Sequence, residues 1–395
     1  MPRAGRLKRG GLVLLTLAWT AGTALVPVGR VAAAQVPVPP RIEAPSAVLM
    51  DAASGVFLYE KNAHQRRAPA SVTKLMTLDL VMDALRSGQI HPREMVTASA
   101  YAASWGGSNL YMYEGEQLPV DELLYAVAVA SANDAAVALA EKVGGTYEHF
   151  IHMMNQRARQ LGMRDTRYAN VHGLPTKEPH YTSAYDQALL ARHILLTHPS
   201  VTRYTRTWEY WVRKGRKNQI WLTNTNRGVI EYPGMDGLKT GWTHEAGFCL
   251  VATAERNGQR LIAVVMGAPT AEERNKEIYR LLDYGFNSFR TVALARQGER
   301  LARVAVDRGT RASVAAVSAR DAVLTLPRTE REPVRHELRL LPRLRAPVRK
   351  GQEVGRLEVF LGRRRVETVP LVAGEGVPAL GAWQSFVASW QRLWP

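Results

Sequence analysis

The sequence predicts an α+β domain, followed by a small all-β module and a C-terminal amphipathic helix. Three observations carry this expectation. Strand-like runs stand at both ends of the segment before Phe289, with helical periodicity between them. Near Phe289 the texture changes to short alternating runs broken by Gly, Pro and charged residues. An aromatic stripe at helical spacing then closes the chain.

The elements follow in order. Arg3, Arg6, Lys8 and Arg9 precede an uncharged apolar run from Gly11 to Val28, and Ala32-Ala33-Ala34 follows. Basic, apolar and small residues in that order predict a signal peptide over 1–34 and an exported protein. A retained N-terminal anchor is the other reading. After a Pro-rich link (Val36 to Pro45), Ala47 to Asp51 and Val56 to Tyr59 read as a β-hairpin. Helical patterns cover Ser71 to Ser87, Val120 to Val143, Glu148 to Leu161 and Tyr181 to Leu196. Strands return at Phe248 to Glu255 and Arg260 to Met266, and a helix runs from Ala271 to Asn287. The first domain is therefore expected over 35–288. A β-rich domain over 289–380 is expected from runs such as Leu301 to Val306, Ala322 to Leu326, His336 to Leu341 and Gly355 to Leu361. Trp383, Phe386, Val387, Trp390 and Trp394 make one helical stripe over 381–395. That segment is too short to cross a bilayer and suits a helix lying flat in the interface. Packing of the stripe on the β module is the alternative.

Of the net charge of +17 over 395 residues, the leader through Ala34 holds +5 and the chain from Arg290 onward +10. The basicity thus belongs to the C-terminal third. No nucleic-acid motif accompanies it, so an anionic membrane or wall surface is the expected partner. Cys249 is the sole cysteine, which excludes an internal disulfide, and its apolar surroundings read as a buried strand. The histidines show no H-E-x-x-H spacing, and neither a metal nor another cofactor is expected.

Three motifs carry chemistry: Ser71-Val72-Thr73-Lys74, Ser131-Ala132-Asn133 and Lys239-Thr240-Gly241. Each alone is a common pattern; the set in this order is not. Pro69 places Ser71 near a helix N-terminus, and a spacing of three brings the Lys74 amine to its hydroxyl. A serine attacks only when a neighbour takes its proton, and Lys74 can do so only when neutral. Burial, the helix dipole and a second cation, Lys239, would all favour that state. Ser131 is placed to relay a proton and Asn133 to hold a substrate amide; the plainer reading is that both satisfy backbone at a turn. Lys239 and Thr240 would offer donors to a carboxylate, while Gly241 lets a substrate backbone approach the strand edge. The backbone N–H groups of Ser71 and Trp242 are the expected oxyanion donors.

The three motifs are those of penicillin-binding proteins and class A β-lactamases. With their flanking phrases ASVTKLMT, ASANDAA, DGLKTGW and NVHGLP, the chain resembles the low-molecular-mass D-alanyl-D-alanine carboxypeptidases. The resemblance implies the penicillin-binding fold, an antiparallel sheet with a helical region. It also implies an acylated Ser71, Lys74 as base, and Ser131, Asn133 and Lys239 in their motif roles. Arg274 is the implied partner of the substrate's terminal carboxylate, although Glu272-Glu273-Arg274 alone reads as a solvated helix surface. The implied substrate is a peptidoglycan stem peptide ending in D-Ala-D-Ala, with β-lactams as covalent inhibitors, at the outer face of the cytoplasmic membrane. A β-lactamase would carry a Glu-x-x-Leu-Asn phrase between the second and third motifs, and none is present. A non-catalytic binding protein of the same fold is the remaining alternative.

Overall fold

The computed structural model describes residues 37–381. The expected leader over 1–34 and the stripe from Trp383 to Trp394 lie outside the described residues. The main sheet contains Ser46–Asp51 (β1), Phe57–Lys61 (β2), Met235–Thr243 (β3), Gly247–Arg256 (β4) and Gln259–Ala268 (β5). Its order is β2-β1-β5-β4-β3, antiparallel throughout, so β3 is a free edge. Both ends of the first domain contribute strands to this sheet, and the helical region is inserted between β2 and β3.

Alternation makes each central strand serve two cores. Val48 and Met50 face the helical region, whereas Ala47 and Leu49 face the helix Ala271–Ser288. Four longer helices precede that one: Lys74–Arg86 (α1), Asn133–Gly144 (α2), Tyr147–Gln160 (α3) and Ala184–Thr197 (α4), which makes Ala271–Ser288 α5. α1 is buried on nearly every side, being enclosed by α2, α3, α4 and the sheet. α5 starts at an N-cap in which Thr270 Oγ1 accepts from Glu273 N and donates to Glu273 Oε2, both at 3.1 Å.

One helical expectation is refined and one corrected. The pattern from Val120 to Val143 is interrupted at the polar second motif: Val120–Tyr125 passes into a π-helical turn, Ala126–Ala130, and breaks at Ser131 before α2. The pattern from Tyr181 yields a helix only from Ala184. Tyr181 and Thr182 instead bridge to Arg167 and Arg67, and Ser183 Oγ caps the helix by accepting from Asp186 N at 3.1 Å.

Strands resume at Phe289–Ala295 (β6), followed by Arg300–Asp307 (β7), Ser313–Ser318 (β8), Ala322–Pro327 (β9), Val334–Leu340 (β10), Leu344–Arg345 (β11), Glu353–Leu361 (β12) and Arg364–Ala373 (β13). They form a six-stranded sheet, β10-β12-β13-β8-β7-β11, and a pair, β6-β9, around a core of their own. Hydrogen bonds from Thr291 to Asp51 and between Ser54 and Thr325 tie this module to the β1–β2 turn.

Candidate active site

Ser71 lies in a 3-10 turn, Ala70–Thr73, that leads straight into α1. Two glycines make room for that turn. Gly173 has φ 87°, and a Cβ there would fall 1.7 Å from the Ala70 carbonyl oxygen. A Cβ on Gly241 would lie 2.9 Å from Ser71 N. The third-motif glycine thus lets β3 pass against the backbone of Ser71.

Lys74 opens α1 with no exposed surface. Its Nζ donates to Ser71 Oγ at 3.0 Å, Asn133 Oδ1 at 2.7 Å and the His172 carbonyl at 2.9 Å. Burial pushes the Lys74 amine well below its ordinary range, the Lys239 charge lowers it further, and Asp134 opposes both. With the amine neutral, the hydrogen bond to Ser71 reverses and the hydroxyl donates.

The second motif sits at the break between the π turn and α2. Ser131 takes φ 62°, and its Oγ is buried without a hydrogen bond. Asn133 begins α2; besides accepting from Lys74 it donates through Nδ2 to the Gly106 carbonyl at 2.7 Å. Asp134, which sequence reasoning did not single out, accepts from Leu110 N and Met112 N and so anchors the loop carrying Gly106. Its place directly after Asn133, at a helix start, was the available signal.

On β3, Lys239 is buried and donates to the Thr240 carbonyl at 3.0 Å. Burial, then the charge of Arg274, lower its amine to about 7. Thr240 Oγ1 shares a 2.7 Å hydrogen bond with Thr225 Oγ1. Trp242 is half-exposed at the rim, its ring beside Phe248 and His244.

Arg274 departs from the surface reading of its sequence, since it is only 5% exposed in the first turn of α5. Its guanidinium reaches Asn275 Oδ1 and forms no ion pair among the described residues. The structure therefore brings Ser71, Lys74, Asn133, Lys239 and Arg274 into one charge-coupled cluster, through side chains drawn from both ends of the domain.

His172 was named only within the NVHGLP phrase, yet its carbonyl holds Lys74. Its ring packs on Trp105 at 4.0 Å between centroids, and burial followed by the Lys74 charge lowers it to about 3. Nδ1 accepts from Leu174 N, which leaves the proton on Nε2. Cys249 is buried beside Gly241, and burial raises its thiol to about 11, as a packing residue requires.

Among the described residues one trio, Asp79, His193 and His198, has ligand atoms close enough to share a metal. None of the residues above belongs to it. Arg157 donates to both Asp79 and Asp83, so a guanidinium already pairs with the carboxylates there.

Residues 32–270 match the family model described as D-alanyl-D-alanine carboxypeptidase, and residues 289–379 match that of the penicillin-binding protein 5 C-terminal domain. D-alanyl-D-alanine carboxypeptidase DacF of Bacillus subtilis is 40% identical over 340 residues, covering 86% of this chain and 87% of the relative. Penicillin-binding protein 5 from Haemophilus influenzae superposes with a TM-score of 0.75 at 34% identity, over 87% of this chain and 99% of that one. Penicillin-binding protein D2 from Listeria monocytogenes, solved with ampicillin bound, is 33% identical with a TM-score of 0.57, covering 62% of this chain and all of that one. The chain belongs to the D-alanyl-D-alanine carboxypeptidase family, with the penicillin-binding fold and its C-terminal all-β domain.

Proposed function

We propose that this protein is a serine carboxypeptidase that removes the terminal D-alanine from stem peptides ending in D-Ala-D-Ala, with Ser71 as the acylating nucleophile. The observation that carries the proposal is the buried Lys74 amine 3.0 Å from Ser71 Oγ, held toward its neutral form by its surroundings. Lys74 takes the Ser71 proton as Oγ attacks the carbonyl of the penultimate D-alanine. The backbone N–H groups of Ser71 and Trp242 stabilise the oxyanion. Ser131, whose Oγ has no competing partner, passes a proton to the departing nitrogen. D-Alanine leaves, and water attacks the Ser71 ester to regenerate the hydroxyl. Asn133 holds the substrate amide, while Lys239, Thr240 and Arg274 bind the terminal carboxylate. The strained amide of a β-lactam enters the same path and acylates Ser71.

The site of action on this reading is the outer face of the cytoplasmic membrane. The signal-like leader, the basic C-terminal third and the Trp383 to Trp394 stripe support it. No helix among the described residues is long and apolar enough to cross a membrane. The chemistry is tested by incubating wild type and Ser71→Ala with diacetyl-L-lysyl-D-Ala-D-Ala and with labelled penicillin. Wild type is expected to release D-alanine and to label at Ser71, and Ser71→Ala to lose both by at least about a thousandfold. A wild type that folds but releases no D-alanine would refute the proposal.

A further inference from the structure

Charge gives a substrate lying along the β3 edge a direction. Its terminal carboxylate belongs with Lys239 and Arg274, and Ser71 stands against Gly241, so the residues before the scissile bond run on past Trp242 toward Thr243. There a groove of about 370 Å³ opens between Pro69, Gly173 and Thr243. A second hollow of about 460 Å³, lined by Trp242, adjoins it at Thr243 and Glu245. Arg67 lines both.

The backbone of Arg67 is pinned by reciprocal hydrogen bonds with Thr182, at 2.8 and 3.0 Å. Its guanidinium packs on Gly267, where any Cβ would fall 2.4 Å from Nη2. Yet Nε is buried without an acceptor, and Arg67 forms no ion pair among the described residues. Of the other charges on the groove, Arg66 is paired with Asp165, and Lys177 stands against Glu178 and Glu245. Arg67 is therefore a held cation outside any ion pair among the described residues, and its buried N–H lacks the partner that burial normally demands.

Resting on the carboxypeptidase reading above, we propose that Arg67 binds a carboxylate on the acyl side of the scissile bond and thereby selects among stem peptides. A planar guanidinium suits that ligand. Two groups of a stem peptide can supply it: a side-chain carboxylate on the diamino acid preceding D-Ala-D-Ala, or the α-carboxylate of a γ-linked glutamate before that residue.

The test compares kcat/KM of the full chain on three peptides. Diacetyl-L-lysyl-D-Ala-D-Ala has no upstream carboxylate, its diaminopimelyl counterpart carries one on the side chain, and a γ-D-glutamyl-lysyl version carries the other. Wild type is expected to prefer a carboxylate-bearing peptide by about tenfold or more, the range of one charge-assisted hydrogen bond. The preferred peptide identifies the source. Arg67→Gln is expected to collapse the ratio toward one. Equal kcat/KM on all three peptides with wild type, or a ratio that survives in Arg67→Gln, overturns the proposal. Should Arg67→Gln not fold, Arg67→Lys keeps the charge without the fork; it is expected to lower the ratio severalfold, and an unchanged ratio is again fatal. Turnover of none of the three by wild type sinks the carboxypeptidase reading, and this proposal with it.

Discussion

Ser71 is flanked by two lysines that burial treats alike and neighbours treat differently. Lys74 is lowered by burial and by Lys239, whereas Lys239 is lowered to about 7 by burial and by Arg274. On the proposed mechanism each serves in one protonation state: Lys74 neutral to take a proton, Lys239 charged to hold a carboxylate. The sign of the pH dependence follows. As pH rises through about 7 the free protein loses the Lys239 cation, so kcat/KM on a D-Ala-D-Ala peptide is expected to fall by up to about tenfold per pH unit. Lys239→Arg keeps its charge and is expected to move that alkaline limb upward by more than about one unit. A limb that stays in place assigns the titration to another group. At this scale the sequence was most legible for side chains that act through short motifs. Asp134 and the His172 carbonyl escaped it because they support the site through hydrogen bonds to residues distant along the chain.

Among the elements, α1 carries Lys74 at its start and is held at its other turns by a buried polar cluster. Asp79 and Asp83 of α1 receive Arg157 of α3, with His193 of α4 and His198 just beyond it alongside. Burial raises Asp79 to about 7 even against that guanidinium. Removing Arg157 leaves the buried Asp79 carboxylate without its guanidinium, while the partly exposed Asp83 keeps Arg86. Arg157→Ala is expected to lower the unfolding free energy by about 3–5 kcal/mol, measured by urea denaturation. A loss under about 1 kcal/mol would show the pair to be energetically idle. Periodicity identified α3 and α5 well because each has one persistent buried stripe, whereas α1 is buried nearly all round and was legible from its apolar length. The polar second motif marked an interruption between two apolar runs, but small apolar residues fill both the π turn and α2, so the pattern alone did not register the left-handed Ser131.

Across the molecule, charge and cores are unevenly distributed. The C-terminal β module has its own core and, with the residues after it, most of the surplus positive charge. Such a surface is attracted to anionic lipid, and aromatic residues at helical spacing suit the interface. The full chain is expected to bind anionic liposomes, and a chain ending before Gly381 to lose at least about tenfold in that binding, measured by sedimentation. Equal binding by the two chains refutes the anchor. By itself the sequence determined the local terms: where strands and helices can form, where texture changes at Phe289, and which motifs could assemble an acyl-transfer site. Only the tertiary structure decided that Lys74 and Lys239 lie close enough to repel, that Arg274 is buried, that Gly173 must lack a side chain, and that Arg67 has no ion pair among the described residues. The reason is physical. Propensity and spacing act through neighbours along the chain, whereas proton affinity, burial and steric clearance are set by groups that packing brings together from far apart in sequence.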